Sequence, residues 1–128
     1  MSSAPRRVEC SFLIPLVRNS DRTKHSPTAW RLLQDTLRRH FGGLTGPERV
    51  INVARDCKRG EYTSPEGGVI EDESHRYTVA VEPGRVDELR VVLRRAANTF
   101  DQIEIYLSVR GDVEFVAAQE SDGVLTAE

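Results

Sequence analysis

The clearest pattern along the chain is the alternation of Ile103, Ile105, Leu107 and Val109 with Glu104, Tyr106, Ser108 and Arg110. A period of two sends the first set to one face of a strand and the second set to the other. Val8, Cys10, Phe12 and Ile14 alternate in the same way with Glu9, Ser11 and Leu13, which predicts an opening strand from Val8 to about Ile14. Pro15 has no N–H to give a ladder, so regular pairing should fade there. A third alternation, with Tyr77, Val79 and Val81 inward, predicts a strand from about Val69 to Val81. Its partner is expected somewhere in Arg49 to Tyr62, where Ile51 and Val53 alternate. Ser64-Pro65-Glu66-Gly67-Gly68 is a turn by composition, so residues 50–82 read as a long β-hairpin.

Two segments change period. Trp30, Leu33, Leu37 and Phe41 recur at helical spacing behind Ser26, a good N-cap, and Pro27, whose missing N–H costs nothing at the first helical position. Gly42 and Gly43 should end that helix. After Pro83-Gly84, the residues Val86, Leu89, Leu93, Ala96 and Phe100 form a second apolar stripe, with Asp87 and Glu88 suited to the positive end of the helix dipole. The order strand, helix, strand, strand, helix, strand is that of an α+β ferredoxin-like sandwich, an antiparallel sheet with two helices on one face. The expected strand order is 4-1-3-2. Arg110-Gly111-Asp112 reads as a turn, and Val113, Phe115 and Ala117 as a short fifth strand beside the fourth. One domain is expected over residues 8–117, with flexible ends at 1–7 and 118–128.

Length and composition agree with that reading. A chain of 128 residues can hold one core, and 38% hydrophobic with 30% charged residues is a globular composition, not a disordered one. A net charge of −2 excludes a uniformly basic nucleic-acid coat protein. The absence of an apolar run near ~20 residues argues against a membrane span. No apolar segment of signal-peptide length follows Arg7, so the expected location is cytoplasmic. Cys10 and Cys57 should lie on strands one and two with strand three between, about 10 Å apart and beyond disulfide reach.

Four short elements carry a family resemblance: Phe41-Gly42-Gly43-Leu44-Thr45, Gly60-Glu61-Tyr62, Ser64-Pro65-Glu66-Gly67 and Asp72-Glu73-Ser74. Together they resemble a family of small bacterial proteins of unknown function. The resemblance implies a ferredoxin-like fold and transfers no catalytic residue.

Candidate chemistry is sparse. The glycines at 42, 43 and 46 follow a helix C-terminus, where carbonyls point outward, so they do not make a phosphate loop. Glu71, Glu73 and His75 offer hard oxygen ligands and one imidazole, a candidate metal set of no defined spacing, alongside the plainer reading of a solvated acidic hairpin edge. Ser74 and His75 are neighbours on a strand, so they point to opposite faces and form no dyad. If both helices cover one face of the sheet, the other carries Glu9, Glu104, Tyr106 and Arg110, which could do acid–base work. The arginines at 31, 38, 39, 85, 90, 94 and 95 make the helical layer locally basic, whereas the stretch from Glu61 to Glu73 holds five acids and no Lys or Arg.

The leading expectation is a non-catalytic, self-associating binding module. It would form a homodimer or a dimer-based oligomer through Tyr62, Val69, Ile70, Tyr106 and Ser108, with no cofactor. The first alternative is a small enzyme with a small-molecule site on the open sheet face. The second is a nucleic-acid binder that uses the helix arginines.

Overall fold

The computed structural model describes residues 6–55 and 69–127, with side chains for all of these except 52–55 and 69–72. The chain forms β1 (Val8–Pro15), α1 (Pro27–Phe41), β2 (Thr45–Arg55), β3 (Val69–Val81), α2 (Val86–Thr99), β4 (Glu104–Val109) and β5 (Asp112–Ala117). The sheet runs β2-β3-β1-β4-β5, every neighbouring pair antiparallel. This is the ferredoxin-like order, with β5 added to the free edge of β4.

Local chemistry sets the helix ends. The Ser26 hydroxyl accepts the Ala29 N–H at 3.2 Å, Pro27 opens α1, and Gly42 closes it at φ 85° with its N–H on the Arg38 carbonyl at 2.9 Å. Leu33, Leu37 and Phe41 of α1 and Val86, Leu89, Val92, Leu93, Ala96 and Ala97 of α2 are buried against one face of the sheet. Val8, Cys10, Phe12 and Ile14, then Tyr77, Val79 and Val81, then Ile105 and Leu107, supply that face. Side chains of this size stabilise the fold by about 1.5–3 kcal/mol each on burial. Burial also pushes the Cys10 thiol above its ordinary pKa, and the thiol is unpaired. Cys57 lies outside the described residues, as do residues 1–5 of the expected N-terminal segment.

Three expectations are corrected. Strand β2 begins at Thr45, before the expected Arg49, and reaches its register with β3 through an irregularity between Thr45 and Glu48. The glycine at 46 belongs to that irregularity and not to the helix cap. It sits at φ 119°, and a Cβ there would stand 2.6 Å from the Arg76 carbonyl, so no other residue fits. Ile103 does not face the core: it precedes β4 and is 66% exposed. Residues 118–127 are not a loose tail. Leu125 is buried, its N–H donates to the Thr99 hydroxyl, and the Asn98 amide donates to the carbonyls of Gln119 and Gly123. Arg94 pairs with Asp122 at 3.0 Å, so the segment is held along α2 and the domain extends past residue 117.

The β4–β5 connection is a two-residue turn, with Arg110 and Gly111 both at positive φ (55° and 87°) as such turns require. Val116 faces the core. Val113 and Phe115 face outward, on the side of the sheet without helices. No helix among the described residues is long and apolar enough to cross a membrane.

Candidate functional site

At the N-terminal end of α1, the helix leans over the middle of β3 and leaves a cleft of about 530 Å³. Its walls come from Pro27, Trp30, Arg31 and Gln34 of α1, from His75 and Tyr77 of β3, and from His25 and Pro47 of the flanking loop and strand. Two periodicities meet here. Positions 27, 30, 31 and 34 form one stripe of a helix, and positions 75 and 77 share the inward face of a strand.

Trp30 is the centre of the aromatic wall. Its ring lies 4.5 Å from that of His75, 4.7 Å from Phe100, 5.5 Å from His25 and 6.3 Å from Tyr77, centroid to centroid. Edge-on and tilted contacts at these distances add to the stabilisation from burial. Trp30 itself is only half-buried, so part of the indole is left to the cleft.

The polar groups of the cleft are unevenly satisfied. His25 Nε2 lies 2.8 Å from the Pro15 carbonyl. A carbonyl only accepts, so Nε2 carries the proton and Nδ1 is the basic nitrogen. Burial holds the His25 imidazole below its ordinary pKa, against the opposing pull of that hydrogen bond. Burial likewise lowers the pKa of His75, whose Nδ1 is shut away from solvent with no hydrogen-bond partner. Gln34 Nε2 donates to the Tyr77 hydroxyl at 3.1 Å, and burial pushes the Tyr77 phenol up, so it stays protonated. Arg31, exposed at the rim, makes no ion pair among the described residues. The cleft therefore presents neutral imidazoles, an amide and one peripheral cation around an indole, with the Tyr77 phenol buried beneath. Such a wall suits a flat or cationic small molecule.

The residues singled out from sequence fall elsewhere, with two exceptions, His75 and Arg31. Glu9 and Arg110 meet at one end of the open sheet face, where the Arg110 N–H donates to the Glu9 carbonyl at 3.2 Å. Glu104 begins β4 at the other end, roughly 20 Å away at the usual strand rise. Tyr106 lies between, opposite Leu13 and Phe115, and Ser108 lies opposite Ser11 and Val113. The four candidate acid–base groups are thus spread along the face and do not converge. Glu73 is engaged by Arg49 at 2.6 Å, and His75 lines the cleft. Among the described residues no three His, Cys, Asp or Glu side chains group to hold a metal ion. Tyr62 lies outside the described residues. Of Val69, Ile70 and Glu71 only the backbone pairing, with Arg55, Ala54 and Val53, is described.

Most of the helix arginines are already neutralised. Arg85 bonds Glu88 at 2.5 Å, Arg90 joins Asp87 and Glu114 at 2.5 and 2.6 Å, and Arg38 meets Asp35 at 2.6 Å. His40 Nδ1 reaches Glu88 at 2.9 Å, which ties the end of α1 to the start of α2. Arg31, Arg39 and Arg95 have no carboxylate partner among the described residues.

His75 was legible as an inward position of β3, continuing the alternation of Tyr77, Val79 and Val81. Gln34 and the link to His25 were not, because they depend on how α1 crosses the sheet.

No family model matches the sequence, and no curated protein does. Two solved structures resemble the chain. One is a phage SAM lyase in complex with S-methyl-5'-thioadenosine, with TM-score 0.49, 16% identity, and coverage of 94% of this chain and 96% of that one. The other is a phage SAM lyase in the apo state, with TM-score 0.51, 14% identity, and coverage of 93% and 96%. At these identities the likeness is one of fold.

Proposed function

We propose that this chain is a small enzyme that binds a nucleoside-like molecule in the cleft against Trp30 and uses His25 to take a proton from it. The observation that carries the reading is the pairing of an aromatic wall with an imidazole whose tautomer is set. With Nε2–H held by the Pro15 carbonyl, the lone pair of Nδ1 is free for a proton, and the lowered pKa keeps that nitrogen unprotonated at neutral pH. Arg31 at the rim offers a counter-charge for a carboxylate. The apo phage SAM lyase shares the fold, so SAM is the first substrate to try. Its adenine suits the indole face, its sulfonium suits a cation–π contact, and its carboxylate suits Arg31.

The test is incubation with SAM, followed by chromatographic separation of any adenine-containing product. The unmodified protein should consume SAM. His25→Asn should keep binding it while losing about 10²–10⁴-fold in turnover. Full turnover by His25→Asn would remove His25 from the chemistry, and neither binding nor turnover by the unmodified protein would remove SAM.

A second reading, self-association through the open sheet face, draws on a different observation. Val113 and Phe115 are 51% and 55% exposed there, with the Phe115 ring 5.9 Å from that of Tyr106. Sedimentation should show the unmodified chain above the mass of one copy and Phe115→Ser shifted toward it. A single-copy mass for the unmodified protein at micromolar concentration would contradict the reading.

A further inference from the structure

We propose that Gln34 is a specificity-determining residue that reads the exocyclic amine of a 6-aminopurine ring held in the cleft. The inference rests on the small-molecule reading of the cleft and adds the identity of the ring.

Gln34 follows Trp30 by four residues on α1, so amide and indole line the same stripe of the helix. One end of the Gln34 amide is taken up by the strand beneath it. Its Nε2 donates to the Tyr77 hydroxyl at 3.1 Å, and Tyr77 is fully buried and stacked on Phe12 with ring centroids 5.8 Å apart. With the nitrogen turned to Tyr77, the carbonyl oxygen Oε1 is the end left over, and it has no hydrogen bond among the described residues. An acceptor on the wall of the cleft is matched by a donor on whatever fills it.

A flat ring laid against Trp30 presents its edge toward the next turn of the helix, where Gln34 stands. Adenine carries an amine and a ring nitrogen side by side, a donor next to an acceptor. With Nε2 given to Tyr77, Oε1 supplies the acceptor that the amine needs. A 6-oxo purine would set an oxygen against Oε1 with no proton between them. A purine without the 6-substituent would leave Oε1 unpaired and cut off from water. The cost of an unpaired buried polar group is why sites built to hydrogen-bond a ligand reject the analogue that lacks the group.

The experiment is calorimetric titration of the unmodified protein with adenosine, purine riboside (which lacks only the amine) and inosine (which carries the 6-oxo group). Adenosine should bind about tenfold more tightly than either of the others. Gln34→Leu should bind all three within about twofold of one another, the penalty having gone with the amide. Because Gln34→Leu also takes a partner from Tyr77, the ligand series on the unmodified protein decides by itself. Equal binding of the three nucleosides there would overturn the inference and leave the cleft reading standing. Binding of none of them, nor of SAM, would overturn both.

Discussion

Two regions of the helical layer use similar residue types to opposite ends. In the seam between α1, α2 and β5, His40, Arg85, Glu88, Arg90 and Glu114 are all partnered: His40 with Glu88, Arg85 with Glu88 and the His40 carbonyl, Arg90 with Asp87 and Glu114. At the N-terminal end of α1, His25, Gln34 and His75 each have a polar atom without a protein partner. A satisfied network holds elements together, whereas a buried polar atom without a partner is a standing cost, and among the described residues His75 Nδ1 is the one that carries it. The difference separates a structural cluster from a candidate site more sharply than residue type does, since both contain histidine.

The largest effect that would break the comparison is on stability. Trp30→Ala removes the ring that joins His25, His75, Tyr77 and Phe100 and should cost about 3 kcal/mol in urea unfolding. Arg90→Ala, in the seam, should cost only about 1 kcal/mol, because its pairs are partly open to water. If Arg90→Ala proved the more damaging of the two, the ranking of the regions would be reversed.

Acid should affect the two regions in different windows. His25 and His75 have lowered pKa values in the fold, so the unfolded chain takes up their protons more readily. Their contribution is complete above the ordinary histidine value of 6.5 and declines as pH falls toward the folded values. Glu88 and Glu114 are also lowered, chiefly by hydrogen bonds from Arg85 and Arg90. Their contribution is complete above the ordinary value of 4.5 and is lost below it. Melting temperature followed from neutral pH to pH ~3 should therefore fall in two stages. His25→Asn with His75→Gln should flatten the upper stage alone, and Glu88→Gln with Glu114→Gln the lower. An unchanged upper stage after the histidine substitutions would show that the cleft does not bury neutral imidazoles.

The same contrast explains what sequence alone could reach. Local signals were enough for α1, where Ser26, Pro27 and Gly42 mark both ends, and for β1 and β3, where alternation is regular; at β4 the same alternation reached one residue too far, to the exposed Ile103. They failed at Thr45–Glu48, because an irregular pairing disrupts the period of two. They failed again beyond Ala117, where side chains of α2 capture an aperiodic segment through Arg94, Asn98 and Thr99. The cleft lies in the same class. His75 could be placed facing inward from its strand, but that its Nδ1 lacks a partner, and that Gln34 faces Tyr77, are tertiary facts. The open-face candidates Glu9 and Glu104 came from face alone, and distance along the strand separates them.

Trp30 is the sole tryptophan, so one signal reports on the cleft directly. The central claim is that this cleft is where a small molecule binds. Titrating the unmodified protein with SAM while recording intrinsic fluorescence should give a saturable change in Trp30 emission, abolished in His75→Ala and unaffected in Arg90→Ala. A flat titration for the unmodified protein up to millimolar SAM and adenosine, or an equal response from His75→Ala, would contradict it.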